Sequence, residues 1–191
     1  YGRYGSTTTI ELENILKELE QAYHVFLTGT GFGGIALALM SLCRPGDEIL
    51  VSDNVYGPTK EISQELMSEF NVKAIFYNPE SFDDLKNKVT NKTKMILVEN
   101  PGSNTFEFQD LSKITQLAKR EKILTLLDNT WGTPLYLKPL KIGFDMSFCS
   151  ATKYFSGHSD AMGGSLAVNK KVFKKIMFFY KLSGYRMSAD E

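Results

Sequence analysis

Residues 110–128 read DLSKITQLAKREKILTLLD, and this stretch decides the fold. Its first part, 110–122, spaces apolar residues at helical intervals, and 123–128 is a short, mostly apolar run that is typical of a buried strand. The same alternation recurs along the chain. Further strands are predicted at 48–52, 73–77, 94–99, 146–150 and 165–169, and further helices at 59–70 and 82–89. Short buried strands separated by amphipathic helices indicate an α/β fold with a mostly parallel sheet flanked by helices.

Two helix starts are predicted in the first forty residues. Residues 8–11, TTIE, match a capping box, and the helix that follows has an apolar face made of Leu12, Ile15, Leu16 and Leu19. Residues 28–34, TGTGFGG, lead into a buried helix at 35–40. The glycines could present backbone N–H groups to a phosphate or permit close helix packing, and the sequence leaves both open. They do not form a dinucleotide fingerprint, because the strand before them, at 25–27, is short and no acid follows at the required distance.

Composition and charge exclude several classes of function. The 191 residues suffice for one domain, or for part of a larger one, with a sizeable core. The 22 basic residues balance the 22 acidic residues, which argues against nucleic acid or an anionic membrane as a partner. The longest apolar runs are too short to span a bilayer. Two cysteines without close spacing fit a reducing compartment, so we expect a cytoplasmic protein, and we expect no metal site.

Polar and aromatic residues directly follow four of the predicted strands. The segments are DNVYG at 53–57, ENPGS at 99–103, DNTW at 128–131 and SATKYFSGHSD at 150–160. In an open, mostly parallel sheet, ligands bind beyond the carboxyl ends of the strands. Loops are polar in most proteins, which explains any single segment equally well. Four segments at one edge predict a binding site.

Two residues in these segments, Asp128 and Lys153, have the chemistry of a cofactor site. Asp128 ends an apolar strand, where an ionised carboxylate needs a partner. A protonated pyridine nitrogen could be that partner. The alternative is that Asp128 caps the helix in the following segment. A lysine amine held in a pocket loses solvation and can form a Schiff base with an aldehyde cofactor, although most loop lysines are solvated and inert. Ser150 and Thr152 would offer hydroxyl groups to a cofactor phosphate.

Taken together, these segments resemble the Cys/Met metabolism family of pyridoxal-phosphate enzymes, fold type I. The resemblance covers nearly the whole chain and is strongest in SATKYFSGHSD. GHSDAM at 157–162 and ENPGS at 99–103 are most similar to the bacterial cystathionine β-lyase branch, whereas members that act at the γ-carbon usually have asparagine in place of Ser103. The resemblance implies a PLP-dependent transferase-like large domain and a pyridoxal 5′-phosphate cofactor.

The resemblance also implies an activity and roles for individual residues. The activity would be β-elimination of cystathionine, a small sulfur amino acid, to homocysteine, pyruvate and ammonia, a lyase step of transsulfuration and methionine biosynthesis. Lys153 would bind the cofactor through its amine and move the proton between Cα and the leaving group. Asp128 would bind the pyridinium nitrogen, and Tyr56 would stack on the ring near the leaving sulfur.

The remaining residues implied by the resemblance would bind the cofactor phosphate. They are the backbone N–H groups of Gly31 and Phe32, the hydroxyls of Ser150 and Thr152, and Tyr1 and Arg3 contributed by a neighbouring subunit. The resemblance therefore implies a homo-oligomer, a dimer of dimers in the family, in which two chains complete each site.

Family members are about twice as long as this chain. We therefore expect residues 1–191 to be the cofactor-binding large domain alone, without an N-terminal arm and without the C-terminal domain that supplies an arginine for the substrate carboxylate. Two alternatives stay open. The chain could be a non-catalytic remnant that binds the cofactor or self-associates, or it could belong to a γ-elimination branch of the same family.

Overall fold

The computed structural model describes residues 4–188, in which helices cover both faces of a seven-stranded sheet. The strands are β1 (His24–Thr28), β2 (Glu48–Ser52), β3 (Lys73–Tyr77), β4 (Thr93–Glu99), β5 (Leu124–Asp128), β6 (Met146–Ser150) and β7 (Gly164–Val168). The helices are α1 (Thr7–Glu20), α2 (Gly31–Leu42), α3 (Gly57–Glu61), α4 (Met67–Glu69), α5 (Phe82–Lys88), α6 (Leu111–Glu121), α7 (Thr133–Tyr136), α8 (Pro139–Ile142) and α9 (Lys170–Ser183). A π-helical segment, Ile62–Leu66, joins α3 to α4.

The strand order across the sheet is β1-β7-β6-β5-β4-β2-β3. β7 is antiparallel to both of its neighbours, β1 and β6, and the other pairs are parallel. Six strands therefore run in one direction, and the predicted mostly parallel α/β sheet is confirmed. The carboxyl ends of β1, β2, β4, β5 and β6 lie at one edge of the sheet, which we call the carboxyl edge.

Most of the predicted elements are confirmed. β2, β3 and β6 have the predicted bounds, β4 and β5 differ from the prediction by one residue at one end, and β7 begins and ends one residue earlier than predicted. The helices predicted at 59–70, 82–89 and 110–122 are also present, with small shifts at their ends. Asp110 is the N-cap of α6, where its side chain accepts the N–H of Lys113. β1 extends the short strand predicted before the glycine-rich loop, at 25–27, by one residue at each end.

The predicted start of the first helix is wrong by two residues. Ser6 is the N-cap of α1, and the capping box pairs Ser6 with Thr9 rather than the predicted residues 8 and 11. The predicted apolar face is only partly buried: Leu16 is buried, whereas Ile15 is 62% exposed. The reason is that α1 packs mainly on β1, the edge strand, so only part of its apolar stripe reaches the sheet.

The buried helix predicted at 35–40 is confirmed and is longer, because the glycines at 31, 33 and 34 form its first turn. Thr30 caps this helix by accepting the N–H of Gly33 at 2.9 Å. A Cβ on Gly34 would lie 2.8 Å from the ring of Phe148, so this glycine permits the close approach of α2 to β6. Close packing, one of the two explanations for the glycine-rich loop, therefore applies at Gly34.

Alternate residues of the central strands enter apolar clusters on opposite faces of the sheet. Met95 and Leu97 of β4 join the cluster beneath α2 and α9, whereas Ile96 and Val98 join the cluster beneath α5 and α6. Because both faces are buried, the central strands are mostly apolar, and the charged and amide side chains that they carry lie near their ends. In the part of the chain that the structure describes, no helix combines the length and the apolar character needed to cross a bilayer.

Candidate active site at the carboxyl edge

The loops after β1, β5 and β6 meet in a continuous set of contacts at the carboxyl edge. The Ser150 N–H donates to Thr130 Oγ1 at 2.9 Å, and the Thr130 N–H donates to Asp128 Oδ1 at 3.0 Å. On the other side, Gly31 approaches Ser150 so closely that an added Cβ would lie 2.7 Å from Ser150 Oγ. The predicted residues Gly31, Ser150 and Asp128 are therefore brought together, with Thr130 as the link between the last two.

Asp128 is buried at the end of β5, and burial raises the pKa of its carboxyl group, while its hydrogen bonds with Thr130 act in the opposite direction. The alternative role as a helix cap does not apply. Asp128 accepts the N–H of the residue two positions ahead, which is a turn contact, and the N-cap position of α7 is occupied by Gly132. Among residues 4–188, no lysine, arginine or histidine forms an ion pair with Asp128. A buried carboxylate that lacks a cationic partner can bind a cationic ring nitrogen.

A second buried carboxylate, Glu99, lies beside Asp128. The two residues are paired across β4 and β5, and both are buried. Burial raises the pKa of Glu99, and the neighbouring charge of Asp128 raises it further. Glu99 Oε2 accepts the Tyr56 N–H at 2.7 Å, and Oε1 accepts the hydroxyl of Ser103. Glu99 thus links the loop after β2 to the same edge.

Tyr56 is the N-cap residue of α3 and has an exposed side chain, so its ring is available at the carboxyl edge. Phe32, in the first turn of α2, is also exposed. The N–H groups of Gly31 and Phe32 have no carbonyl partner within the helix because they belong to its first turn. Since Thr30 takes the N–H of Gly33, Gly31 and Phe32 are the first-turn donors that could bind a phosphate.

Lys153 lies in the turn after β6 and is exposed. Its N–H donates to the Ser150 carbonyl at 3.1 Å, and its carbonyl accepts the Gly157 N–H at 2.8 Å, so the backbone of the turn is fixed. Within residues 4–188, its amine has no hydrogen-bond or ion-pair partner. The neighbouring Thr152 hydroxyl is engaged with the backbone of Gly163, donating to its carbonyl at 3.3 Å and accepting its N–H at 3.1 Å.

An aromatic row borders this site, and sequence reasoning did not assign it a role. Trp131 makes edge-on ring contacts with Phe106 and Tyr154, at centroid distances of 5.2 and 6.5 Å. The row connects the loops after β4, β5 and β6. Sequence reasoning also gave no role to Thr130 or Glu99, although both lie in segments that it singled out. An acid at the end of an apolar strand was the available signal for Glu99, as it was for Asp128.

The residues present fit pyridoxal phosphate. Asp128 could hold the protonated ring nitrogen, the amine of Lys153 could take the aldehyde carbon, and the start of α2 with Ser150 could bind the phosphate. The Thr152 hydroxyl would have to leave Gly163 to donate to a phosphate. The other two predicted phosphate ligands, Tyr1 and Arg3, lie outside the described residues.

Comparisons with known proteins agree with this fold and with a pyridoxal-phosphate cofactor. A sequence model of the Cys/Met metabolism PLP-dependent enzyme family matches residues 1–191. The chain is 34% identical over 192 residues to a cystathionine β-lyase of Bordetella avium and 30% identical over 191 residues to an L-alanine/L-glutamate racemase of Wolbachia pipientis, and each match covers all of this chain. A cystathionine γ-lyase from Lactobacillus plantarum, solved in complex with L-serine, superposes with a TM-score of 0.96 at 27% identity over the whole chain.

The chain spans about half the length of the relatives it matches: 48% of the Bordetella protein, 47% of the Wolbachia protein and 50% of the Lactobacillus structure. The names of these relatives cover more than one reaction, whereas the cofactor class is common to the family. Because the family model matches every residue and the fold agrees, this chain belongs to the Cys/Met metabolism family of PLP-dependent enzymes.

Proposed function

We propose that this chain carries the cofactor-binding part of a carbon–sulfur lyase that cleaves cystathionine by β-elimination. The observation that carries the proposal is the buried Asp128 carboxylate, which has no cationic partner among residues 4–188 and lies in one contact network with Ser150 and Gly31. The Bordetella relative, named a cystathionine β-lyase, supports the choice of reaction. The overall reaction consumes one water and converts cystathionine to homocysteine, pyruvate and ammonia.

Pyridoxal phosphate, when bound, delocalises the electron pair that remains when a proton leaves Cα of an amino acid. The residues of this chain would position the cofactor and move protons on the substrate. Asp128 would keep a protonated ring nitrogen charged, and the Lys153 amine would take the Cα proton of the substrate and return a proton to the departing sulfur. Tyr56 would stack on the ring. Gly31, Phe32 and Ser150 would hold the phosphate, with Thr152 as a further hydroxyl.

We propose, further, that residues 1–191 form the large domain of a cytoplasmic homo-oligomer. Tyr1 and Arg3 of one subunit would then bind the phosphate in the site of its neighbour. Two observations support the domain and compartment parts of this proposal: the relatives are about twice as long as this chain, and both cysteines, Cys43 and Cys149, are buried free thiols, which suits a reducing compartment. Within the family, a γ-elimination branch is the second candidate, because the Lactobacillus structure is named a cystathionine γ-lyase.

The test of the cofactor site is chemical labelling. The purified chain is mixed with pyridoxal phosphate, reduced with borohydride and mapped by peptide mass spectrometry. We expect the pyridoxyl group on Lys153, no label at that peptide in Lys153→Ala, and unchanged labelling in Lys92→Ala, which removes an exposed lysine elsewhere. Equal labelling of Lys153→Ala and the unaltered chain would contradict the assignment.

The products then separate the candidate reactions. Pyruvate released from cystathionine supports β-elimination, whereas 2-oxobutyrate together with cysteine supports γ-elimination. A chain that is labelled at Lys153 but forms neither oxoacid would be the cofactor-binding remnant.

A further inference from the structure

Glu99 holds the main chain of Tyr56 in place at the carboxyl edge. Its Oε2 accepts the Tyr56 N–H at 2.7 Å, and its Oε1 accepts the Ser103 hydroxyl. Only 4% of Glu99 is exposed, so water does not compete effectively for either bond. Hydrogen bonds to a buried carboxyl group are among the stronger ones in proteins, so this residue fixes two loops at once.

The same two loops are joined by a second contact. The Asn54 carbonyl accepts the Ser103 N–H at 3.0 Å, and the Asn54 amide donates to Glu107 Oε2 at 3.3 Å. Ser103 is therefore held through its N–H by Asn54 and through its hydroxyl by Glu99. The loop after β2 is anchored to the loop after β4 at residues 54 and 56, immediately before α3.

The Tyr56 side chain itself provides little support for its own position. The residue is 55% exposed, and it caps α3 without a side-chain hydrogen bond to the helix. The backbone therefore sets the Cα–Cβ bond from which the ring projects, and the backbone N–H of Tyr56 is the group that Glu99 binds.

We propose that Glu99 is a positioning residue for Tyr56: it orients the ring over the cofactor site by binding the Tyr56 N–H while Ser103 steadies the carboxyl group. The consequence for turnover rests on the proposed function, in which Tyr56 stacks on the cofactor. The geometric part of the proposal concerns this chain without any cofactor and can be tested separately.

Two substitutions separate the reach of the Glu99 side chain from its charge. Glu99→Gln keeps the length and can still accept the Tyr56 N–H through its amide oxygen while donating to Ser103. Burial and the charge of Asp128 raise the pKa of Glu99, so glutamine is a close mimic of the protonated acid. Glu99→Asp keeps a carboxylate but is one methylene too short to bind both Tyr56 and Ser103. Glu69→Ala, on the exposed surface of α4, is the matched control.

The primary measurement is hydrogen exchange at the Tyr56 amide, followed by NMR in the chain without cofactor. We expect the unaltered chain to protect this amide by more than about tenfold against an unstructured peptide. Glu99→Asp should accelerate exchange at Tyr56 by about tenfold, because loss of a hydrogen bond to a carboxyl group changes an equilibrium by about tenfold or more. Glu99→Gln and Glu69→Ala should change the exchange rate by less than about threefold. An unprotected Tyr56 amide in the unaltered chain would overturn the proposal even if Glu99→Asp failed to fold.

The second measurement adds pyridoxal phosphate and cystathionine. If the proposed lyase activity is present, Glu99→Asp should lose at least about tenfold in kcat, and Glu99→Gln should retain most of it. Loss of activity in Glu99→Gln together with retention in Glu99→Asp would overturn the positioning role, because that pattern would point to the charge of Glu99 and not to its reach. If neither the unaltered chain nor any variant forms an oxoacid, the proposed function fails. The exchange data then still decide whether Glu99 positions Tyr56.

Discussion

Glu99 and Asp128 lie side by side on paired strands β4 and β5, and both carboxyl groups are buried at the carboxyl edge. Two carboxylates so close together cannot both be ionised cheaply in a medium of low dielectric constant. In the absence of a cation, the pair retains protons more strongly than ordinary carboxylic acids do. A cation placed against Asp128 would reverse this tendency, which is what a protonated ring nitrogen would do.

The electrostatic link between these residues gives the first prediction. Replacing Asp128 with asparagine removes the charge that raises the pKa of Glu99, so we expect that pKa to fall. It should stay above its ordinary value, because burial is the larger cause of the shift and the substitution leaves burial in place. The measurement is a ¹³C NMR titration of glutamate side-chain carboxyl groups, with Glu99→Gln used to assign the signal. An unchanged or higher pKa in Asp128→Asn would show that the two groups are not coupled.

The close contact of Gly31 with Ser150 gives the second prediction. A Cβ on Gly31 would lie 2.7 Å from Ser150 Oγ and 3.0 Å from Ser150 Cβ, so α2 or β6 must shift in Gly31→Ala. We expect a loss of about 1–3 kcal/mol in the free energy of unfolding, the usual cost of overpacking. The measurement is urea unfolding without cofactor. Gly57→Ala is the control, since a Cβ on Gly57 would meet no atom within 4 Å. This control should change the free energy of unfolding by less than about 0.5 kcal/mol. Equal stability of the two variants would show that the contact is easily relieved.

The alternation of short apolar strands with amphipathic helices was sufficient to predict most of the fold, because most strands of this sheet are buried on both faces and are therefore mostly apolar. β1 was predicted only as a short strand, because its apolar core is Val25, Phe26 and Leu27 and polar residues occupy both of its ends. The reversed direction of β7 could not be predicted, since an antiparallel strand buried on both faces has the same composition as a parallel one.

The candidate site was predicted as a set of strand-end segments, and the structure brings Gly31, Ser150, Asp128 and Tyr56 into one set of linked contacts. The links themselves were not predictable. Thr130 binds Ser150, 20 positions away in the chain, and Glu99 binds Tyr56, 43 positions away. Such pairings depend on strand register and not on local sequence.

A third buried carboxyl group, Glu20 at the end of α1, lies away from the site. Its Oε1 accepts the Ser147 hydroxyl at 3.2 Å and lies 3.7 Å from Cys149 Sγ, whereas its Oε2 is buried without a hydrogen bond from the described residues. Burial raises the pKa of Glu20 from 4.5 to about 7, which its hydrogen bonds and the nearby charge of Lys138 only partly oppose. The folded chain therefore keeps a proton on Glu20 that the unfolded chain has already lost.

The pH dependence of stability follows from that proton. Between about pH 5 and pH 7 the folded state binds it and the unfolded state does not, so raising the pH favours unfolding, and the stability contributed by the neutral acid is lost as the pH rises through 7. The full effect is at most about 3 kcal/mol.

The variant Glu20→Gln tests this pH dependence because its side chain is permanently neutral. In urea titrations from pH 5 to pH 8, the difference in free energy of unfolding between Glu20→Gln and the unaltered chain should change in favour of the variant as the pH rises. Asp128, Glu99 and His24 titrate in both proteins and cancel in the difference. Glu18→Gln, exposed on the same helix, should follow the unaltered chain at every pH. Parallel curves for Glu20→Gln and the unaltered chain would mean that Glu20 is already ionised in the fold.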